Sequence, residues 1–141
     1  MRVEEGCIFC AIVAGKAPAC RVAEDEHALA FLDLFPVSDG HTLVIPKDHA
    51  VNIFEMQDGP MRATAALARR VAHAIRAELA PDGLAVFQAN GAAAGQTVWH
   101  YHVHLIPRRS GDPMTLHGRS RADEARLAAL SAKLAARVGS L

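Results

Sequence analysis

The stretch VWHYHVHLIP, residues 98–107, decides the interpretation of this chain, because histidine occupies every second position of its central part. These histidines are His100, His102 and His104. Side chains of a β-strand alternate between its two faces, so a strand here places all three imidazoles on one face. Successive imidazoles would lie about 6.7 Å apart and the outer two about 13 Å apart. The outer two cannot easily reach one metal ion from an extended strand, so the three histidines must divide any chemical work.

A single histidine on the polar face of a strand is usually an ordinary side chain. Three at a strict period of two, beside the apolar Trp99, Val103, Leu105 and Ile106, are hard to explain in that way. A neutral imidazole is a competent nucleophile and general base near physiological pH. The pattern therefore indicates a surface built for chemistry.

The segments outside this run alternate between strand, turn and helix signals. Strands are predicted at residues 21–24, 27–33, 41–46, 84–90 and 98–107. A helix is predicted from Gly59-Pro60 to Leu79, where apolar residues recur every four positions. A second helix is predicted over 120–138, where Ser120-x-x-Asp123 resembles a capping box.

This order predicts an α+β fold rather than a regular βαβ alternation. We expect a mainly antiparallel sheet of about five strands, with one long helix inserted and a C-terminal helix. We also expect a single domain over 1–141, with its core at 7–109 and a C-terminal helical segment at 119–138.

Composition excludes several classes of protein. Apolar residues make up 51% of the 141 residues, while Lys+Arg and Asp+Glu number 15 each. A neutral chain does not present the basic surface that a nucleic acid polymer selects, whereas a small anionic ligand needs only local donors. The first ten residues carry two acids and no long apolar stretch, and no segment approaches the roughly 18 apolar residues of a membrane span. We expect a cytoplasmic protein with no membrane partner.

The three cysteines are Cys7, Cys10 and Cys20. An odd number without a secretion signal argues against a disulfide framework. The pair Cys7-x-x-Cys10 can supply two thiolates from one tight turn, and zinc is the commonest structural partner of such a pair. Two alternatives are an ordinary pair of reduced cysteines and a thioredoxin-type redox motif, although no βα unit follows. Cys20 is expected to be a small apolar filler.

A family resemblance is carried by His100-Tyr101-His102-Val103-His104-Leu105-Ile106, which is similar to the histidine triad pattern His-φ-His-φ-His-φ-φ, where φ is apolar. It extends to Gly95-Gln96-Thr97-Val98, to Asn90, to the segment GHTLVIP at 40–46 with His49, and to Cys7-Ile8-Phe9-Cys10. The resemblance to this family of nucleotide hydrolases and transferases thus covers residues 7–109.

The resemblance implies a mechanism. His102 attacks the α-phosphorus of a nucleoside phosphate derivative, and water then releases the nucleoside monophosphate from a nucleotidyl-histidine intermediate. In the family, the backbone carbonyl at the position of His100 accepts a hydrogen bond from the other ring nitrogen of the His102 position and so fixes its tautomer. His104 contacts the phosphate, and Gln96 and Thr97 match positions that offer donors to the phosphates and leaving group.

The resemblance also implies a nucleoside pocket for a purine, AMP-like nucleotide. Asp33 matches a position that holds the ribose hydroxyls, although an Asp before Phe35-Pro36 is also a common way to start a turn. Asn90 matches an asparagine near the ribose and phosphate, or ends a strand before Gly91. The positions around the base, each also a candidate core residue, are Ile8, Phe9, Ile12, Phe31 and Leu32.

Relatives with the cysteine pair complete a zinc site with two histidines, which here are His49 and His100. Such a Cys₂His₂ set with Cys7 and Cys10 is closed and structural. His41 fits a Gly-His segment with a structural hydrogen bond, while His27, His73 and His117 are expected to be surface or satisfied side chains. Relatives form homodimers through the long helix and a sheet edge, and we expect the same here.

The leaving group stays open between an amine, as in phosphoramidates, and a phosphate, as in dinucleoside polyphosphates. Gln96-Thr97-Val98 and the residues at 105–108 are similar to the dinucleoside polyphosphate branch, whereas Asp33 and the cysteine pair are similar to the phosphoramidase branch. Two rival functions are a nucleotide-binding signalling or adaptor protein with incidental turnover, and a metal-storage or redox protein.

Overall fold

The computed structural model describes residues 1–140, in which three helices and five strands follow one another along the chain. In chain order they are α1 (Ile8–Val13), β1 (Arg21–Glu24), β2 (Ala28–Leu32), β3 (Thr42–Pro46), α2 (Asp58–Leu79), β4 (Gly83–Phe87), β5 (Val103–Arg108) and α3 (Glu124–Gly139). Two short 3₁₀ turns lie at Ile53–Glu55 and Ala92–Ala94.

The strands form one sheet in the order β1-β2-β3-β5-β4, and every neighbouring pair is antiparallel. The α+β fold predicted from the sequence is therefore confirmed. In the register of the sheet, His104 on β5 lies opposite Leu43 on one side and opposite Phe87 on the other. The last histidine of the triad thus lies on a central strand, and its backbone is held by neighbouring strands on both sides.

The sheet separates two apolar layers, and the alternation along β2 shows how. Ala28, Ala30 and Leu32 pack into the larger cluster with α2 and α3, whereas Leu29 and Phe31 pack into a smaller cluster. The smaller cluster also holds Phe9 and Ile12 of α1, together with Leu43 and Ile45 of β3. Because residues directly opposite one another share a face, Leu43 places His104 on the α1 side of the sheet.

The predicted strand at 98–107 is shorter in the structure, where β5 begins only at Val103. Residues 98–102 make other hydrogen bonds: the Tyr101 N–H donates to the Ala50 carbonyl at 2.7 Å, and the Gln96 side chain donates to the Val98 carbonyl at 3.0 Å. The expectation that one regular strand carries all three imidazoles was wrong for His100 and His102, because both residues precede the strand and only His104 lies on it.

Both ends of the chain also differ from the predicted elements. The cysteine pair lies in the first turn of α1, where the Cys7 thiol accepts the Cys10 N–H at 3.4 Å, rather than in an isolated tight turn. The last helix begins at Glu124 instead of residue 120. Asp123 is its N-cap residue but makes no side-chain capping bond, so the predicted capping box with Ser120 does not form.

Among the described residues, no helix is both long enough and apolar enough to cross a membrane. The boundaries expected for a single domain, including its C-terminal segment at 119–138, stay predictions. The hairpin expected around Asp25 is present, because its carboxylate accepts the backbone N–H groups of His27 and Ala28 at 2.8 and 2.9 Å. Such an Asx turn reverses the chain between β1 and β2.

Candidate active site and metal centre

A cavity of about 390 Å³ lies on the α1 side of the sheet. It is bounded by α1, the end of β2, the start of β5 and an irregular segment that follows β5. Its lining residues are mostly apolar with a few polar groups, an arrangement typical of small-molecule sites. They are Ile8, Phe9, Ile12, Pro18, Ala19, Phe31, Leu32, Asp33, Leu34, Phe35, Leu43, Thr97, Val98, His102, His104, His117 and Gly118.

His102 lines this cavity with one ring nitrogen already committed. Its Nδ1 atom lies 2.7 Å from the carbonyl oxygen of His100, which can only accept a hydrogen bond. The neutral ring therefore carries its proton on Nδ1 and keeps the lone pair on Nε2. Burial lowers the pKa of His102, which favours this neutral form. The ring meets Phe9 edge-on, with centroids 5.3 Å apart.

His104 is held in the opposite tautomer by a hydrogen-bond relay through His41. The Val37 N–H donates to Nδ1 of His41 at 3.0 Å, so the neutral His41 ring carries its proton on Nε2. That Nε2–H group donates to Nδ1 of His104 at 2.9 Å. His104 consequently carries its own proton on Nε2. The ring of Phe87 stacks parallel to the His104 ring, with centroids 4.1 Å apart, and so fixes its orientation.

The protonation states of this relay follow from burial. Desolvation lowers the pKa of His41 to about 4 and the pKa of His104 still further. Asp33 lies beside them, with one carboxylate oxygen 3.5 Å from Nε2 of His41. Potential ligand atoms of Asp33, His41 and His104 also lie close enough together to surround an ion. Nε2 of His41 carries a proton, however, and therefore has no lone pair for a metal ion, so we describe these residues as a hydrogen-bonded relay.

Asp33 has one oxygen occupied and one that faces the site. Its Oδ1 atom accepts the Phe35 N–H at 2.9 Å, which is the turn geometry expected from the sequence. Its other oxygen is the one near His41. Burial raises the pKa of Asp33. The turn expected at Asp33 is thus formed through Oδ1, and the contact of Asp33 with ribose hydroxyls stays a prediction.

The apolar residues expected around the base all line the cavity: Ile8, Phe9, Ile12, Phe31 and Leu32. Phe9 and Phe31 also pack edge-to-face, with centroids 5.4 Å apart, and belong to the smaller apolar cluster. Ile8 is half exposed at 51%, whereas Leu32 is buried in the larger cluster. These side chains form one wall of the cavity, and the buried ones among them also pack in the apolar core.

The polar residues predicted near the phosphates lie in different places. Thr97 lines the cavity, but Gln96 and Asn90 do not. Gln96 is buried and joins three backbone segments: its amide oxygen accepts the Gly91 N–H at 2.7 Å, and its amide nitrogen donates to the carbonyls of Val51 and Val98. This geometry shows Gln96 shaping the loop that carries Thr97, and its predicted donation to phosphate stays a prediction.

Asn90 belongs to the same loop system. Its Oδ1 atom accepts the Ile53 N–H at 2.7 Å, and its amide pairs with the side chain of Gln88. The predicted contact of Asn90 with a ribose or phosphate stays a prediction.

His117, expected from the sequence to be a surface or satisfied side chain, lines the cavity. Its ring meets His104 edge-on, with centroids 5.9 Å apart. It lies in the irregular segment between β5 and α3, where the sequence has no periodic pattern from which inward-facing side chains can be predicted. The other histidines left unassigned, His27 and His73, are exposed as expected.

A second cluster, which we call the Cys/His cluster, consists of Cys7, Cys10, His49 and His100, whose potential ligand atoms all lie within 4.8 Å of one another. Nδ1 of His100 lies 3.4 Å from the Cys7 sulfur and 3.1 Å from Nδ1 of His49, and the Cys10 sulfur lies 3.3 Å from the same His49 atom. All four predicted metal ligands are thus brought together from three parts of the chain.

The donor chemistry of this cluster fits a metal ion. Nε2 of His100 lies 2.8 Å from the Pro46 carbonyl, so it carries the proton and leaves the Nδ1 lone pair facing the sulfurs. A carbonyl that orients a metal-binding histidine in this way is a usual feature of such sites. Burial raises the pKa of the Cys10 thiol, which a bound cation would counteract. Cys20 packs against the larger apolar cluster instead.

The sheet topology and the clustered histidines define the class of histidine triad proteins. A model of the HIT domain matches residues 14–111, and the chain therefore belongs to the HIT family. The match begins after α1, so the cysteine pair lies outside the matched segment.

Known relatives agree with this assignment. The chain is 46% identical over 125 residues to the protein named "Protein hit" from Bacillus subtilis (strain 168), covering 88% of this chain and 86% of that relative. A crystal structure of a zinc-bound histidine triad family protein from Mycobacterium smegmatis is 41% identical, with a TM-score of 0.84 over 96% of this chain and 94% of that chain. A hypothetical histidine triad nucleotide-binding protein from Sulfolobus tokodaii strain 7 is 34% identical, with a TM-score of 0.87 over 96% and 93%.

Proposed function

We propose that this protein is a nucleotide hydrolase or nucleotidyl transferase that cleaves the α-phosphate bond of an adenosine or other purine nucleotide derivative. The observation that carries the proposal is the 2.7 Å contact between Nδ1 of His102 and the His100 carbonyl. It leaves an unprotonated Nε2 on a ring that lines the cavity, as a nucleophile for phosphorus requires.

The reaction would proceed in two displacements. In the first, the lone pair on Nε2 of His102 forms a bond to the α-phosphorus, and the bond from phosphorus to the leaving group breaks with its electron pair. The leaving group, an amine or a phosphate, takes up a proton where its chemistry needs one. In the second, water attacks the same phosphorus and gives up a proton to solvent, the bond to His102 breaks with its electron pair returning to Nε2, and the nucleoside monophosphate leaves.

Charge that develops on the phosphoryl oxygens needs donors that are in place beforehand. The relay from Val37 through His41 leaves the Nε2–H of His104 as such a donor, 4.9 Å from the His102 ring between centroids. Thr97 lines the same cavity and offers a hydroxyl. The adenosine would occupy the apolar wall, with Asp33 accepting from the ribose hydroxyls.

Both branches of substrate stay candidates for this site. Asp33 and the Cys/His cluster favour a phosphoramidate. The Gln96–Thr97 loop favours a dinucleoside polyphosphate, and both sets of residues are present in this chain. The rival function is a nucleotide-binding adaptor whose turnover is incidental, and it shares the same cavity.

The experiment that separates these functions measures turnover of an adenosine phosphoramidate and of diadenosine polyphosphates by wild-type protein and by His102→Ala, with AMP binding measured in parallel. We expect the variant to lose turnover while AMP affinity changes by less than about threefold. His27→Ala, which removes an exposed histidine, is the matched control. Unchanged turnover in His102→Ala would eliminate His102 as the nucleophile, and absence of turnover in wild type would favour the adaptor function.

We further propose that the Cys/His cluster holds a structural zinc ion with Cys7, Cys10, His49 and His100 as its ligands. Two thiols and two imidazoles are a donor set that zinc prefers, and four protein ligands leave no open position for substrate. The ion would add a cross-link between α1, the segment after β3 and the segment before β5. Its role is to hold the backbone of His100, whose carbonyl fixes the tautomer of His102.

We also propose a homodimer. Strand β4 ends the sheet and exposes Val86 at 57%, so its outer edge is free to pair among the described residues. An adjoining apolar groove is lined by Ala65, Ala68 and Ala72 of α2, with Val86 and Leu105 of the sheet. Light scattering after size-exclusion chromatography should give twice the chain mass of 15.1 kDa, and a single chain mass would remove this proposal. The cytoplasmic location stays a prediction.

A further inference from the structure

The cavity contains little positive charge for a ligand that carries phosphate. Among its described lining residues there is no lysine and no arginine, and the carboxylate of Asp33 adds a negative group. Phosphate sites in proteins usually supply charged donors, because hydrogen bonds from a cation to phosphate are roughly twice as strong as neutral ones. Any positive charge inside this cavity must therefore come from an imidazole.

Two of the three imidazoles in the cavity are committed to neutral forms by their hydrogen bonds. His102 needs a free lone pair on Nε2 to act as the nucleophile. Nδ1 of His104 accepts a hydrogen bond from the Nε2–H group of His41, and a doubly protonated ring has no lone pair with which to accept it. The imidazole that remains is that of His117.

His117 lies where it can reach a bound phosphate. Its ring meets His104 edge-on at 5.9 Å between centroids. On the other side, its Nε2 atom lies only 3.5 Å from where a side chain on Gly95 would begin. The ring therefore stands between the triad and the loop that carries Thr97. The residue is exposed, so its ring is not enclosed by other side chains and can turn toward a ligand in the cavity.

The segment that carries His117 is fixed before and after that residue. Arg108 is 8% exposed and donates to the carbonyls of Pro113 and Thr115 at 3.0 and 2.6 Å. Gly118 lies so close to the carbonyls of Phe35 and Pro36 that a Cβ atom would collide with them. These contacts hold the backbone of the segment across the cavity mouth, and a fixed donor stabilises a phosphate better than a mobile one.

We propose that His117 is a fourth active-site histidine, whose protonated ring donates a hydrogen bond to a non-bridging oxygen of the α-phosphate. This proposal rests on the nucleotide function proposed above and adds a residue to it. His117 supplies the formal positive charge, whereas His104 supplies a neutral donor and His102 supplies the lone pair.

The test compares AMP with adenosine, which differs only in lacking the phosphate, by calorimetric titration of wild-type protein, His117→Gln and the matched control His27→Gln. We expect His117→Gln to weaken AMP binding about tenfold, as for loss of a charge-assisted hydrogen bond, and to change adenosine binding by less than twofold. The control should bind both ligands as the wild type does.

Equal weakening of AMP and adenosine in His117→Gln would overturn the proposal, because a purely structural role would affect both ligands. Unchanged AMP affinity would overturn it as well. Turnover measurements distinguish the failure of the His117 proposal from the failure of the proposed nucleotide function. If His102→Ala abolishes turnover but His117→Gln matches wild type in binding and turnover, only the proposed role of His117 is wrong. A wild-type protein that binds neither AMP nor adenosine would overturn the nucleotide function itself, and this inference with it.

Discussion

Nε2 of His41 lies 2.9 Å from Nδ1 of His104, and this contact sets which nitrogen of His104 is free to face a substrate. His41 is itself oriented by the Val37 N–H, so a backbone group at the turn before β3 determines the protonation of a side chain on β5. A residue expected from the sequence to have only a structural hydrogen bond thus positions one of the triad histidines.

Two substitutions of His41 separate its two hydrogen bonds. In His41→Gln the amide nitrogen can take the place of Nε2 and donate to His104, whereas in His41→Asn the amide oxygen can take the place of Nδ1 and accept from Val37. We expect His41→Asn to lower kcat about tenfold or more with little change in KM, since His104 loses its fixed donor. His41→Gln should retain more turnover but lose stability, because the Val37 N–H loses its acceptor. Equal kcat in the two variants would contradict the relay.

Loss of the zinc ion proposed above should destabilise the protein without changing the chemical groups in the cavity. Cys7→Ser removes one of four ligands, and we expect it to lower both the metal content and the Tm, since binding energy at a structural site contributes to folding. Cys20→Ser is the matched control, because Cys20 packs against the apolar core. Full stoichiometric metal in Cys7→Ser, measured by elemental analysis, would show that the ligand set is wrong.

Stability should fall on acidification because His41 is buried in its neutral form. Its pKa is about 4 in the folded protein and about 6.5 in an unfolded chain, so between these values the unfolded chain binds more protons. The contribution is fully present above pH 6.5 and is lost as the pH falls toward 4, amounting to about 3 kcal/mol. Urea unfolding with a chelator present, at several pH values, measures this slope. His41→Gln should show a shallower slope, and identical slopes would rule out His41 as the source.

Asp33→Asn tests recognition of the ribose. Because Oδ1 of Asp33 accepts the Phe35 N–H, only Oδ2 is available to the ribose hydroxyls. In Asp33→Asn the amide oxygen can keep the Phe35 bond, and the amide nitrogen that replaces Oδ2 can donate but cannot accept. We expect the substitution to weaken AMP binding about tenfold and to leave binding of 2′,3′-dideoxy-AMP nearly unchanged. If wild-type protein already binds the two nucleotides equally, Asp33 does not read the ribose.

The sheet was predictable because its signals are local. The short apolar runs of β2 and β3, the turn residues around Asp25 and the four-residue period of α2 each identify an element without knowledge of its partners. The Cys/His cluster was predictable for a different reason, namely that its four residues belong to the family pattern. The ligand atoms then meet in the structure although residues 7 and 100 are far apart in the chain.

The parts that sequence analysis missed depend on contacts between irregular segments. The shortened start of β5 follows from hydrogen bonds of Tyr101 and Val98 to loops, which no periodicity reports. His117 was missed because its position depends on Arg108 and on the closely packed Gly118, neither of which marks a neighbouring side chain as part of a site. Irregular backbone is positioned by tertiary contacts, so its side-chain directions cannot be derived from local pattern.

His100 serves the two halves of the site through different atoms: its ring faces the sulfurs, while its carbonyl orients His102. Every amino acid supplies a carbonyl, but few supply an imidazole. Divergence at position 100 could therefore discard metal binding and still preserve the chemical group that the nucleophile requires, provided that the loop keeps its path. The proposed ion and the proposed nucleophile would in this sense be separable by a substitution at this one position.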